Sequence, residues 1–168
     1  MNGRGVFSMF LAVVTSTTAL ADEKPTAKAI RAQAPAPAAV TVTCELVEIW
    51  ATSAKTPAMD SALPKQLQKR LTVGFGSKYT DYKQLSSKSV TLTKKKPEKV
   101  ALKKGSAVVT LVEVVDKDKV RLTADFTSAN GKSSSLQQLV AAGDWVITAV
   151  QQGKEASSDG HLLAVDCK

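Results

Sequence analysis

The chain has 168 residues, and 23 Lys and Arg against 15 Asp and Glu give it a formal net charge of +8. Hydrophobic residues make up 43% and charged residues 23%, proportions that exclude full disorder and collagen-like architectures. The length predicts one domain, and no apolar run reaches the ~18 residues that a membrane span needs. With one His and two Cys, the chain lacks the residues for most metal sites and most nucleophile–base pairs, and we predict no cofactor.

The N-terminus shows the features of a secretory signal peptide in their usual order. Arg4 supplies positive charge, residues 6–14 form a short apolar segment, and Ala19-Leu20-Ala21 is typical of a cleavage site. A buried N-terminal strand or helix is the alternative. A signal peptide at 1–21 predicts a protein that is exported to the periplasm or the extracellular space and that begins at Asp22.

Ala, Pro and Lys dominate residues 22–39. Ala and Pro alternate at 34–37, a pattern that favours extended polyproline II structure and cannot bury a core. We predict a disordered arm at 22–39, which is either a frayed terminus or a spacer, followed by a single β-rich domain at 40–168.

The two cysteines predict a disulfide between the first and last strands of this domain. Cys44 shares one strand face with Val42 and Leu46, and Cys167 shares a face with Leu163 and Val165, because side chains alternate along a strand. An isolated Cys pair in an exported chain is usually bonded. Two buried free thiols or a redox pair are the alternatives, but the chain has no Cys-x-x-Cys motif. A bond requires a Cα–Cα distance of about 4.4–6.8 Å.

The predicted elements begin with a strand at 40–50, in which Val47 and Ile49 make the second face apolar as well. Such a strand is covered on both sides. A helix is predicted at 61–71, capped by Asp60 or Ser61 and with basic residues near its C-terminal end. One apolar stripe of this helix is formed by Leu63, Leu67 and Leu71.

The remainder reads as strands and turns. The clearest signal is a hairpin whose turn is 116–119, since apolar and polar residues alternate on its return strand. The fold class predicted is mainly β, an antiparallel sandwich or small partly open barrel of about seven to nine strands with one short N-terminal helix. The further strands are expected at 79–85, 87–95, 99–103, 107–115, 120–127, 134–141, 145–151 and 161–167, with a short helix as the alternative at 134–141.

A short Leu-rich helix, a Tyr-containing strand and closing segments at 139–147 (LVAAGDWVI) and 160–165 (GHLLAV) follow one another between Val40 and Cys167. This layout resembles that of uncharacterised small exported β-domain proteins of Gram-negative bacteria. The resemblance implies no activity and no site residues.

Basic residues are concentrated between Lys65 and Lys104, where the acidic residues are Asp81 and Glu98. Such a charged field attracts anionic polymers or acidic protein surfaces. The alternative is a solvated face whose lysines keep edge strands from pairing. The candidate surface for an anionic partner consists of Lys78, Lys83, Lys94, Lys95, Lys96, Lys99, Lys103 and Lys104.

Three aromatic residues, Phe75, Tyr79 and Tyr82, alternate with lysines in this segment, as in proteins that bind single-stranded nucleic acid. We do not expect nucleic acid as the partner. An exported protein rarely meets it, and the basic residues are almost all Lys, whereas planar phosphate recognition favours Arg.

Catalytic patterns are sparse. A histidine general base would have to be His161, which we expect to be a surface residue at the start of the last strand. Carboxylates such as Glu45 and Glu48 could serve a hydrolase, but no spacing selects them. We therefore predict an exported, non-catalytic binding or scaffold module of the bacterial envelope. The alternatives are a secreted inhibitor or small-ligand-binding protein and a carboxylate-based hydrolase.

Overall fold

The computed structural model describes residues 39–153 and 159–168. The predicted signal peptide at 1–21, and all of the predicted arm at 22–39 except Ala39, lie outside these ranges. In the part of the chain that is described, no helix is long and apolar enough to cross a membrane.

The described residues form two sheets and one helix. The five-stranded sheet has the order β2-β3-β1-β9-β8, and the four-stranded sheet has the order β4-β5-β6-β7. Apart from the short parallel pairing of β2 with β3, neighbouring strands are antiparallel. The elements are β1 (Thr41–Thr52), β2 (Ala58–Met59), α1 (Lys65–Phe75), β3 (Asp81–Thr93), β4 (Pro97–Ala101), β5 (Gly105–Asp116), β6 (Lys119–Ser128), β7 (Ser133–Ala141), β8 (Val146–Gln151) and β9 (Gly160–Cys167).

The main apolar core lies between the two sheets and includes Leu46, Leu122 and Phe126. A second core lies between the outer face of the five-stranded sheet and α1, where Val47 and Ile49 of β1 are buried. The prediction that β1 is covered on both faces is therefore confirmed. The sandwich prediction is confirmed as well, with α1 as a third layer.

The start of α1 differs from the prediction. The helix begins at Lys65 instead of Ser61, and Pro64 is its N-cap residue. Asp60, a predicted cap, instead accepts the backbone N–H of Ala62 at 3.0 Å. This local hydrogen bond forms a turn in front of the helix, and such bonds are the usual competitor of helix formation at Asp.

The apolar stripe of α1 is confirmed, because Leu63, Leu67 and Leu71 are all buried in the second core. The helix continues to Phe75, and Gly76 is its C-cap residue. Its last turn holds no basic residue, so the predicted interaction of basic side chains with the C-terminal end of the helix dipole is wrong.

The two strands predicted at 79–85 and 87–95 are one long strand, β3. A β-bulge at Leu85 changes the register against β1, where Glu48 pairs with Ser86 and Ile49 with Gln84. An extra residue reverses which side chains face which side of a sheet. Tyr82 therefore faces α1, whereas Leu92 faces the core between the sheets.

The predicted hairpin is confirmed as β5 and β6, in which Asp116 pairs with Lys119 at the turn. The return strand buries its apolar residues and leaves Arg121 and Asp125 exposed. The segment at 134–141, which the sequence assigns to a strand, lies within β7.

Cys44 and Cys167 form a disulfide, as predicted. Their Cα atoms are 4.0 Å apart, slightly closer than the expected range. The reason is the pairing of β1 with β9: Thr43 and Lys168 exchange two backbone hydrogen bonds, so the adjacent Cys pair is a non-hydrogen-bonded pair, the closer of the two types.

Candidate functional site

The fold brings most of the predicted basic surface to one side of the sandwich. Strand β2 pairs with Asp81 and Tyr82 alone, so among the described residues the rest of β3 is an edge of its sheet. Strand β4 is the edge of the other sheet, and a turn at 94–96 joins the two edges. Both edges therefore lie on the same side, which we call the basic side. The predicted lysines that are exposed on it are Lys83, Lys94, Lys95, Lys96, Lys99, Lys103 and Lys104, and Lys88 of β3 is exposed there as well.

Lys78 stands apart from this set, in the loop between α1 and β3. Its ammonium lies 5.3 Å from the ring centroid of Tyr79, within the range of a cation–π contact. Tyr79 and Tyr82 are themselves buried beneath α1. Their ring faces are therefore not free to stack on bases, as a single-stranded nucleic acid would require.

The turn between β3 and β4 presents three consecutive lysines in an unusual backbone conformation. Lys95 has a φ of 63°, the only non-glycine positive φ among the described residues. Its N–H donates to the carbonyl of Leu111 at 2.8 Å, which ties the turn to β5. A left-handed residue other than Gly costs roughly 1–2 kcal/mol. Lys96 pairs with Glu98 at 3.0 Å, a contact exposed to solvent.

The turn between β4 and β5 is held by a buried carboxylate. Glu48 accepts the backbone N–H of Lys103 at 2.7 Å and that of Lys104 at 2.8 Å, one at each carboxylate oxygen. The ammonium of Lys104 lies 4.6 Å from the ring centroid of Trp50. The buried end of this turn is thus rigid, while its lysine side chains are exposed.

The expectation that His161 is a surface residue is wrong. His161 and Glu48 are both 0% exposed, and His161 Nε2 donates to Glu48 Oε1 at 2.8 Å. The Nδ1 atom lies 2.7 Å from the hydroxyl of Ser128, which also accepts a hydrogen bond from Gln152 at 3.0 Å. The carboxylate can only accept, so Nε2 carries a proton, and in the neutral ring Nδ1 accepts from Ser128.

These contacts have the composition of a Ser–His–Glu triad, but the nucleophile position is closed. Ser128 is 3% exposed, and the best-formed surface depressions of the described residues are lined by other side chains. Every buried side-chain nitrogen and oxygen of the described residues has a hydrogen-bond partner. We call this fully hydrogen-bonded cluster the polar joint, because it connects β1, β6, β9 and the β4–β5 turn.

The burial of Glu48 and His161 could have been predicted from the alternation of side chains along β1 and β9. Glu48 has the same parity as Cys44 on β1, and His161 has the same parity as Cys167 on β9. Because the cysteines must face one another, the two polar residues must face the same core. A buried carboxylate and a buried imidazole on neighbouring strands then require each other as partners.

Burial by itself would raise the pKa of the Glu48 carboxyl. The hydrogen bonds that it accepts have a larger, opposite effect, and they come from His161, Ser86 and the backbone of Lys103 and Lys104. Together they lower the pKa of the Glu48 carboxyl from 4.5 to about 2. The Ser86 hydroxyl contributes from 2.7 Å. The charged form is therefore the form that the fold favours.

We expect the stability of the domain to depend on pH through Glu48. Since its pKa is lower in the folded chain, its contribution is fully present above pH 4.5 and is lost as the pH falls towards 2. The difference corresponds to about 3 kcal/mol. Urea unfolding of the parent chain and of Glu48→Gln at a series of pH values measures it.

The Glu48→Gln variant is the control, because it cannot titrate at this position. It should show a clearly smaller loss of stability over the same pH range. Burial raises the pKa of Asp166, an effect of opposite sign that is common to both chains and cancels in the comparison. Equal losses in the two chains would contradict the role given to Glu48.

Glu45 and Glu48 lie on opposite faces of β1, so they do not form a carboxylate pair. Glu45 lies opposite Asp166 of β9 instead, and both line a depression of about 190 Å³. Each carboxylate has a partner within the fold: Asp166 accepts the backbone N–H of Gly143 at 2.8 Å, and Glu45 accepts the hydroxyl of Ser87 at 3.0 Å. These bonds fix the β7–β8 turn and the β1–β3 pairing.

Comparison with protein-family models, with curated proteins and with solved structures gives no match to this chain. The features from which a function can be argued are the disulfide-closed sandwich, the buried polar joint and the basic side.

Proposed function

We propose that the chain is an exported, non-catalytic binding module of the bacterial envelope, and that its basic side binds an anionic polymer. The observation that carries the proposal is the convergence of Lys83, Lys94–Lys96, Lys99 and Lys103–Lys104 on one side of the sandwich. The disulfide fits an oxidising compartment outside the cytoplasm.

The conformation of Lys95 supports a functional role for the lysines. A solvated turn with a positive φ favours Gly or Asn, and this turn keeps Lys at a conformational cost. Charge that only solubilised the protein could be placed at any unstrained surface position. Strain of this kind is often retained where a side chain has a specific role.

A polymer suits the basic side better than a folded protein partner does. The lysines follow two strand edges over their length, and their side chains are exposed rather than grouped around an apolar centre. Protein interfaces are depleted in Lys and usually contain buried aromatic or Arg anchors. An extended chain of phosphate or carboxylate groups matches a row of solvated ammonium groups.

The experiment measures binding of polyphosphate and of polyglutamate to the chain from Asp22 onward, as a function of salt. Changing Lys94, Lys95 and Lys96 to Gln should weaken binding about 3- to 160-fold at low salt, if each exposed contact contributes roughly 0.2–1 kcal/mol. Binding should also fall steeply as ionic strength rises.

A matched control removes the same charge elsewhere. Lys65, Lys69 and Lys117 are exposed, lie outside the basic side and can be changed together to Gln. This control should bind much as the parent chain does. If both triple variants lose the same affinity, the effect is one of net charge and the basic side is not the site. Binding of acidic proteins but of neither polymer would overturn the choice of a polymer partner.

A further inference from the structure

The two sides of the sandwich differ in how their edge strands are protected. On the basic side, Leu102 donates its N–H to the carbonyl of Gly105, so the backbone groups of even-numbered β4 residues bond to β5. The N–H and C=O groups of odd-numbered residues point away from the sheet, and we call these the outward positions. One outward position is Pro97, which has no N–H, and the next is Lys99. Proline and lysine at these positions are the usual means of preventing edge pairing.

The opposite edge of the five-stranded sheet, β8, has no such protection. Its sequence, VITAVQ, contains no charge and no proline, and it consists mainly of residues with a high β-propensity. The neighbouring edge strand β7 is also uncharged, but its edge is rich in Ser and Gln, which pack less well in a strand pairing. Strand β8 is therefore the edge best suited to pairing.

The backbone groups that β8 offers can be assigned. Gln152 donates its N–H to the carbonyl of Asp159 at 2.8 Å, so even-numbered residues of β8 bond to β9. Ile147 and Ala149 therefore direct N–H and C=O groups to the free edge, where the described residues provide no backbone partner. The carbonyl of Gln151 accepts the ammonium of Lys132 at 2.9 Å, which ends the open stretch.

An apolar surface borders this edge. Val73 of α1 is 88% exposed and Leu139 of β7 is 48% exposed. With Phe75 and Ile147 they line an open groove of about 530 Å³ beside β8. Exposed aliphatic side chains next to unpaired backbone groups are typical of an interaction surface.

We propose that a second copy of this chain binds here, with the two β8 strands paired antiparallel about Thr148. In this register Ile147 of each copy lies opposite Ala149 of the other, and the two pairs exchange four backbone hydrogen bonds. A twofold axis that passes between the two Thr148 residues relates the copies and makes the interface self-complementary. The five-stranded sheets then join into one continuous sheet.

Charge complementarity favours a second copy over an unrelated strand. Asp144 lies just before β8, where it pairs with Arg70, and Lys132 lies at the other end, where it donates to Gln151 and to Gly153 at 3.0 Å. Antiparallel pairing about Thr148 places Asp144 of one copy next to Lys132 of the other, at both ends of the interface. The basic sides, which would repel each other, lie at the far edges of the joined sheet.

Sedimentation velocity of the chain from Asp22 onward tests the proposal over a range of concentrations. We expect a dimer that Ala149→Pro weakens about 10- to 100-fold, because proline removes one outward N–H from each copy and with it two hydrogen bonds between the copies. Ala101→Pro is the matched control, since Ala101 is an outward position on the protected edge β4. It should leave the dimer unchanged.

A second pair of variants makes the test independent of the folding of Ala149→Pro. Asp144→Lys and Lys132→Asp should each weaken the dimer several-fold, and mixing the two should restore it, because each then supplies the charge that the other needs. A chain that is monomeric at all concentrations overturns the proposal, even if it binds added peptides at this edge. A dimer that neither Ala149→Pro nor the charge reversals affect also overturns it and indicates another interface, such as β7.

Discussion

Replacing Cys44 by Ser is expected to lower the free energy of unfolding by about 2–5 kcal/mol. The bond joins residues that are 123 positions apart, so its loss releases a long loop in the unfolded chain. Both sulfurs lie in the core between the sheets, where no other covalent link holds β1 to β9 within the described residues. Since net stabilities are about 5–15 kcal/mol, the change is a large fraction of the whole. Urea unfolding under non-reducing conditions measures it.

The single and double variants distinguish loss of the bond from loss of packing. Cys167→Ser should have about the same effect as Cys44→Ser, and the double variant should lose little more, because each change breaks the same bond. Addition of a reductant to the parent chain should reproduce most of the loss. Two reactive thiols in the unfolded, unreduced parent chain would show that the bond is not formed in solution.

Replacing Glu48 by Ala is expected to destabilise the domain by about 3–5 kcal/mol, as in other cases where one partner of a buried polar pair is removed. The change leaves His161, the Ser86 hydroxyl and the backbone N–H groups of Lys103 and Lys104 without their acceptor. Each buried donor then bears its own desolvation cost. Thermal and urea unfolding at neutral pH measure the effect.

Glu45→Ala is the matched control, because Glu45 is on the same strand but is only half-buried, and within residues 39–153 and 159–168 its side chain bonds to Ser87 alone. It should cost no more than about 1 kcal/mol. Glu48→Gln keeps the shape and one acceptor, so its effect should lie between the two. A Glu48→Ala variant as stable as Glu45→Ala would show that solvent reaches the cluster and satisfies its donors.

The features that could be predicted from sequence are those that follow from strand alternation. The disulfide, the two apolar faces of β1 and the β5–β6 hairpin were all predictable because neighbouring residues alternate in a regular way. The stripe of Leu63, Leu67 and Leu71 was predictable for the same kind of reason, at helical spacing.

The features that could not be predicted depend on contacts between distant residues. The bulge at Leu85 has no local signature in the sequence. It makes one long strand look like two, because the residues that face a given side of the sheet change from one parity to the other at the bulge. The start of α1 depends on a hydrogen bond of Asp60 that competes with helix capping. The basic side exists only because β3 and β4 are edges of different sheets on the same side, a matter of strand order.

The position of the disulfide at the open ends of β1 and β9 also determines how the domain responds to force. Beyond it, Thr43 and Lys168 are joined by two backbone hydrogen bonds of 3.2 and 2.8 Å. Once these two hydrogen bonds break, a pull applied between Val40 and Lys168 passes from β1 to β9 through a single S–S bond. The strands between the two cysteines carry no tension, so rupture of their hydrogen bonds cannot lengthen the chain between these points. Between its two ends the oxidised domain acts as a short, inextensible link, and reduction converts the same chain into a long extensible one.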